Sequence, residues 1–186
     1  MPSSLGRGFS VDIDKYYLAL GRFITNFSKV ENYLLRLVRM EAGLTPQIAP
    51  ALLSSLRIMQ AIDALRRVHE AKGTAIDTQL KRALDQLANI NTARNWIVHW
   101  GVDFTDPLAP VVSNKGLAHN AESLRQIPVS VETIHDMTYD LGQLSFLFQA
   151  HLNPEWDSKG AKAEARTWLY KFPHSKDSPA KTPKKL

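Results

Sequence analysis

Four long stretches of this chain repeat apolar residues at steps of three and four. That spacing gathers them on one face of an α-helix, and it constrains the fold more than any other feature. Over residues 14–42 the stripe is Leu20, Phe23, Phe27, Val30, Leu34 and Leu37; Gly43 closes it and Thr45-Pro46 prevents continuation. A second helix is expected over residues 50–72, with Leu53, Leu56, Met59, Ala61, Ile62 and Leu65 inward and Gly73 as its stop. The third runs over residues 75–100 on Ile76, Leu80, Ala83, Leu84, Leu87, Ile90 and Ile97, ending at Gly101. Ser130 is placed to cap a fourth, with Glu132 in its first turn; it carries Ile134, Met137, Leu141, Leu144, Phe146 and Leu147 towards His151. Between the third and fourth helices, residues 101–129 change character. Asp106-Pro107, Ala109-Pro110, Asn114-Lys115-Gly116 and Ile127-Pro128 break up short apolar pieces such as Val111-Val112. The excursion reads as irregular or as a small hairpin with its turn near Asn114-Lys115-Gly116. Helices that each offer one apolar face must bury it against one another, so the expected fold is all-α, a four-helix bundle interrupted by this excursion.

At 186 residues and 44% hydrophobic, the chain suits one domain with a substantial core. The expected organisation is an N-terminal arm at 1–13, a helical domain at 14–152 and a flexible, largely disordered basic tail at 153–186. Within that tail a short helix is expected at 161–171, with disorder beyond Phe172-Pro173. The tail also explains the net charge of +5: it holds eight Lys/Arg against four Asp/Glu, while the remainder holds fifteen against fourteen. Such a tail gives loose, salt-sensitive attraction to phosphates or simply aids solubility; it is not a shaped basic groove. With no cysteine there is neither a disulfide framework nor a thiolate metal site, and a reducing compartment is the simplest setting. The N-terminus lacks the apolar core of a signal peptide, and no apolar run approaches the roughly 18–20 residues that span a bilayer. A soluble, cytoplasmic protein is expected, with no membrane partner.

One segment stands out chemically: Ala93-Arg94-Asn95-Trp96-Ile97-Val98-His99-Trp100, at the end of the third helix. Asn95 and His99, four apart, lie about 40° from each other on an ideal helix, and Asn91 extends the same polar row. Arg94 lies about 100° round from Asn95, and its long arm can swing towards that row. Trp96, Ile97 and Val98 take the other directions and can hold the helix in the core. A histidine titrates near neutrality, so it can take a proton from a ribose 2′-hydroxyl or return one to a leaving oxygen. An arginine forks onto a phosphate and stabilises the charge of a pentacoordinate transition state. Asparagine can orient the histidine or donate to a phosphate oxygen. No metal or other cofactor is called for, since the remaining histidines at 69, 119, 135, 151 and 174 show no paired-ligand spacing. His69-Glu70 lacks the second histidine of a zinc protease. The competing reading is an ordinary helix end, in which Arg94 pairs with an acid and His99 interacts with the helix dipole. Trp100, Trp156, Trp168 and Tyr170 could stack on bases or simply pack.

The Arg-Asn-x-x-x-His pattern at the end of the third helix resembles the HEPN superfamily, marked by Arg-x4–6-His with a polar residue after the arginine. The first helix resembles it as well: Asn26-Phe27-Ser28-Lys29-Val30-Glu31-Asn32-Tyr33-Leu34-Leu35 looks like the Phe-Ser-x-x-Glu-x-x-Leu type of pattern. The resemblance spans roughly residues 14–151 and leaves out the excursion and the tail. It implies a metal-independent endoribonuclease, a homodimer in which two Arg/His motifs face one cleft and cut RNA to a cyclic phosphate and a 5′-hydroxyl. Carried over, Arg94 contacts the scissile phosphate, His99 transfers protons, and Asn95 orients or binds phosphate. Glu31 matches the acid of the first helix and would order Arg94 or His99, with Asn91 in support. The family also implies a toxin, with a cognate antitoxin protein as partner, or a defence nuclease. Two other classes stand beside it: a non-catalytic bundle that binds a nucleotide, RNA or protein, and a pure interaction module.

Overall fold

The computed structural model describes residues 13–106, 110–120, 124–153, 155 and 167–172. It is mostly helical, with five helices and a small three-stranded sheet: α1 (Ile13–Glu41), α2 (Ala49–Leu53), α3 (Ile58–Ala71), α4 (Thr78–Trp100), β1 (Val102–Asp103), β2 (Val111–Ser113), β3 (Gln126–Pro128) and α5 (Val131–Leu152). The first twelve residues, 161–166, Trp156 and everything after Phe172 lie outside the described residues, as do the expectations of an arm and of disorder that fall on them.

Most of the periodic stripes become the core, but Met59, expected inward, is exposed, and Leu20, Leu53, Leu56, Ile76 and Phe146 are only partly buried. Phe23, Phe27, Val30, Leu34 and Leu37 of α1 are buried, and α1 packs along α5, whose Ile134, Met137, Leu141, Leu144 and Phe148 are buried too. Helix α3 adds Ile58, Ala61, Ile62 and Leu65 beside α1, and α4 adds Leu80, Leu84, Leu87, Ile90 and Ile97. Off the apolar face of α1, Thr25, Asn26, Ser28 and Asn32 each donate a side-chain hydrogen bond to the carbonyl four residues back, which lets polar residues sit mid-helix. Gly43 and Gly73 stop α1 and α3 alike. Each has positive φ (65° and 62°), and the following amide reaches back five residues (Leu44 to Arg39, Thr74 to His69, both 3.0 Å). This left-handed stop favours a residue without a Cβ. The C-terminal ends of α1 and α3 meet, where Lys72 Nζ lies 3.1 Å from Glu41 Oε2.

Three sequence expectations need correction. The single helix over 50–72 is two, because Ser54-Ser55 favours turns over helix interior and Gln60 caps a fresh start at Arg57 (Arg57 N–H to Gln60 Oε1, 2.9 Å). The third helix begins at Thr78 rather than 75, since Asp77 accepts hydrogen bonds from the amides of Gln79 (2.9 Å) and Leu80 (3.1 Å). The fourth starts as read, with Ser130 Oγ accepting from Thr133 N–H at 3.2 Å. The excursion 101–129 contains an antiparallel meander in the order β1-β2-β3, with Val102 opposite Val112 and Val112 opposite Ile127. Val112 and Ile127 turn inward and Ser113 and Gln126 do not, the alternation of a sheet with one covered face; β2 lies on α4. Asn114 does sit at the turn: its carbonyl accepts from Leu117 N–H at 2.8 Å and its side chain from Arg125 N–H at 2.7 Å.

The third correction concerns the tail. Residues 167–171 are not helical, and 167–172 form a strap against the bundle with Tyr170 buried. Asp140 on α5 holds it. This fully buried carboxylate accepts from Leu169 N–H (3.0 Å), Tyr170 N–H (3.0 Å) and Gln86 Nε2 (2.8 Å), while Gln86 also donates to the Tyr170 carbonyl (2.9 Å). Burial pushes the Asp140 carboxyl above its ordinary range, and its three donors oppose that. Asp140→Ala strands both strap amides and should lower stability by about 3 kcal/mol in urea denaturation, at about 1–3 kcal/mol per orphaned donor. Hydrogen exchange should quicken at Leu169 and Tyr170 first; unchanged protection there would show that the strap does not depend on Asp140.

Candidate functional site

The Arg94–His99 segment fills the last two turns of α4, ahead of Gly101. Ile90, Ala93 and Ile97 point into the core and fix the helix, so the side chains between them project from a rigid element. Arg94 is half-buried. Its Nη1 donates to Asn95 Oδ1 at 3.0 Å, the swing towards the polar row that the spacing predicts, and its guanidinium carbon sits 5.4 Å from the Phe27 ring centroid of α1. The Nε–H is buried with no hydrogen-bond partner among the described residues.

No carboxylate pairs with Arg94 among the described residues; ion pairs join Arg66 to Asp63 and Asp85, and Glu41 to His69 and Lys72. Among the described residues, then, the arginine–acid pair of an ordinary helix end is absent. His99 is exposed in the last turn, and no hydrogen bond joins it to Asn95 or Asn91. Asn91 is buried, one turn behind Asn95. Glu31 is half-buried on α1, one turn beyond the Phe27 ring that Arg94 covers, without an ion pair to Arg94 or His99. The structure thus brings Arg94 and Asn95 into contact, sets His99 on the same helix end, and leaves Glu31 and Asn91 nearby but unlinked.

Two features of this end were not singled out from the sequence. Phe27 appeared only as one member of an apolar stripe, yet it forms the floor under the guanidinium. Trp96 and Trp100, four apart, stack with centroids 4.5 Å apart at 27°. Of the other aromatic candidates, Tyr170 is committed to the core and Trp168 packs against it.

His69 serves a helix end. Its Nδ1 is 3.1 Å from Thr74 Oγ1 and its Nε2 is 4.0 Å from Glu41 Oε2. Among the described residues no group of three or more His, Asp or Glu side chains fits a metal ion, and no helix is long and apolar enough to cross a membrane. A surface cavity of about 410 Å³ lies away from the motif, between α1 and α2, with Arg36 and Arg39 at its wall and Leu35, Pro46 and Leu53 among its lining. Comparison with family models, curated proteins and solved structures finds no match.

Chemically, the end of α4 presents a guanidinium with no anionic counterpart among the described residues, an amide that holds it and an exposed imidazole. An orphaned, half-desolvated donor costs the fold about 1–3 kcal/mol, and the cation–π contact returns about 0.5–1 kcal/mol. Arg94→Met, which keeps the stem against Phe27, is therefore expected to leave stability unchanged or raise it by about 1 kcal/mol in urea denaturation. A loss above about 2 kcal/mol would make Arg94 a structural residue.

Proposed function

We propose that the chain is an endoribonuclease of HEPN type that cuts RNA without a metal ion. The observation that carries this reading is the Arg94 guanidinium, set by Asn95 and Phe27 and without an ion pair among the described residues, with an exposed His99 five residues on along the same helix end. A buried-side arginine that no acid neutralises is suited to a phosphate, with which it forms charge-assisted, forked hydrogen bonds. In this reading α1, α3, α4 and α5 are the four helices of a HEPN bundle, with α2, the small sheet and the strap added to it.

The reaction needs one bond made and one broken. The ribose 2′-oxygen attacks the adjacent phosphorus and its proton passes to an imidazole. The bond from phosphorus to the 5′-oxygen then breaks, and that oxygen takes up a proton, leaving a cyclic phosphate and a 5′-hydroxyl. His99 is the proton-transfer group, Arg94 carries the extra charge of the pentacoordinate phosphorus, and Asn95 positions Arg94 or donates to the phosphate. Glu31 and Asn91 support them. The motif holds one imidazole per chain, which serves one proton transfer at a time and favours a homodimer with two motifs at a shared cleft. Exposed apolar residues at this end of the fold support that arrangement: Val98 on α4, and Tyr17 and Leu18 on α1 beside Tyr16, which meets Phe104 edge-on at 5.0 Å. A toxin with a cognate antitoxin, or a defence nuclease, both acting in the cytoplasm, are the roles this reading carries with it.

One observation favours a second reading. Among the described residues His99 has no hydrogen bond that would fix its ring, and a non-catalytic bundle that binds a nucleotide, RNA or protein through Arg94 needs no oriented base. Purified protein incubated with RNA in EDTA separates the two. Cleavage to cyclic-phosphate ends is expected, and His99→Ala should slow it roughly 10²–10⁴-fold. Cleavage undiminished in His99→Ala would remove the histidine from the mechanism, and binding without cleavage would leave the second reading.

A further inference from the structure

We propose that Trp100 is a base-stacking surface of the same site, holding an unpaired nucleobase of single-stranded RNA next to the phosphate met by Arg94. The inference rests on the ribonuclease reading of Arg94 and His99 and adds the part of the substrate they do not touch.

Consecutive residues of a helix point about 100° apart, so the row Asn91, Asn95, His99 has a second row immediately beside it, Thr92, Trp96, Trp100. The first is polar and the second ends in two indoles. Those indoles form the end of a chain of rings. Trp100 stacks on Trp96 at 4.5 Å and 27°; Trp96 meets Phe172 of the strap at 5.7 Å and 68°; Phe172 meets Tyr170 at 6.5 Å and 84°. The far end is anchored, because Tyr170 is buried and its amide is held by Asp140. Trp96 has ring neighbours on two sides. Trp100 has one among the described residues; it is partly buried against the core, keeps part of its surface exposed, and is the last residue of α4, followed by Gly101, which carries no side chain.

A stacked pair held rigid from behind is a platform that takes a further flat ring without reorganising. Side chains on a helix lean towards its N-terminus, so Trp100 lies over Trp96 and the turn after it is empty of helix. The adjacent position, His99, is exposed, so a nucleotide can meet the polar row through its phosphate and the aromatic row through its base. Stacking on an indole accepts any base but requires one that is unpaired, which makes the expected substrate single-stranded and the contact sequence-tolerant. The occupant is thus RNA of single-stranded character, with affinity divided between charge and stacking.

The test uses the full chain and a fluorescein-labelled oligouridylate about ten nucleotides long, carrying 2′-O-methyl groups so that it binds without being cut. Fluorescence anisotropy gives Kd for the parent, Trp100→Ala and Trp100→Phe, each first checked for parental circular dichroism and unfolding midpoint. Trp100→Ala should weaken binding roughly 10- to 100-fold, the range expected for one lost base stack. Trp100→Phe, which keeps a ring, should recover most of it and also serves as the folding-safe variant. An otherwise identical oligomer lacking its bases should bind the parent weakly and be indifferent to Trp100→Ala. If the parent cleaves RNA yet Trp100→Ala binds the oligouridylate as tightly as the parent, the stacking assignment alone is wrong. Equal losses for the base-bearing and base-free oligomers would likewise overturn it, since the effect would then come from backbone contacts. A parent that neither cleaves RNA nor binds the oligomer removes both the ribonuclease reading and this one.

Discussion

The packing of α1 along α5 is the interaction on which the rest of the fold depends. Both helices are long, 29 and 22 residues, and they share the most extensive contact between elements, with Phe23, Phe27 and Leu34 buried on one and Met137, Leu144 and Phe148 on the other. A fully buried side chain of this size contributes about 1.5–3 kcal/mol, whereas the surface contacts between the shorter elements contribute far less each. Helices α3 and α4 then close the exposed flanks of this pair. Phe27 shows how the packing reaches the candidate site: its ring belongs to the α1 stripe, and its face carries the Arg94 guanidinium of α4. The position of the arginine is a consequence of core packing, not of a loop.

Two charged groups below the surface are treated in opposite ways. Asp140 makes no ion pair among the described residues; the charge of Lys171 on the strap favours its ionised form, and three hydrogen-bond donors satisfy the carboxylate and tie the strap to the bundle. Arg94 receives one acceptor from Asn95, keeps one buried N–H without a partner and meets no acid. Burying a charge is tolerable when hydrogen bonds replace the lost water, as for Asp140, and the group is then structural. Four buried side-chain atoms lack a hydrogen-bond partner among the described residues, Tyr16 Oη, His69 Nε2, Arg94 Nε and Tyr170 Oη, and of these Arg94 alone belongs to a permanently charged group, where a ligand has most to complete. By that criterion the two sites divide cleanly into a clamp and a candidate binding group.

The helical core was legible from residue spacing alone, since the 3.6-residue period is a local property and Gly43, Gly73 and Ser130 carry their stop and start chemistry in a single residue. What escaped was set by partners distant in sequence. The break at 54–57 depends on whether Ser54-Ser55 is held in a helix by tertiary contacts, and it is not. The sheet emerges from pairing Val112 with both Val102 and Ile127, a register no single segment encodes. The strap needs Asp140 and Gln86, residues 29 to 84 positions away from their partners. One local signal did exist: Asp140 interrupts the apolar face between Met137 and Leu141, and a carboxylate there must find donors. At the site, the contact of Arg94 with Asn95 followed from helix geometry, while the floor supplied by Phe27 and the standing of Glu31 depended on how α1 and α4 cross.

The location of the motif at the C-terminal end of α4 poses an electrostatic problem that its residues answer. Aligned peptide dipoles leave about half a negative charge at a helix C-terminus, so this end repels a phosphate, by about 0.3–1 kcal/mol near the surface. Phosphate sites built on backbone alone use the opposite end of a helix. A site here must therefore rest on side-chain cations, and a charge-assisted hydrogen bond from a guanidinium, worth about 1.5–3 kcal/mol, exceeds the dipole's opposition. That balance holds only if no acid neutralises the arginine. An Asp or Glu within reach of Arg94 would cancel the margin, so the absence of such a partner among the described residues is what a C-terminal anion site requires.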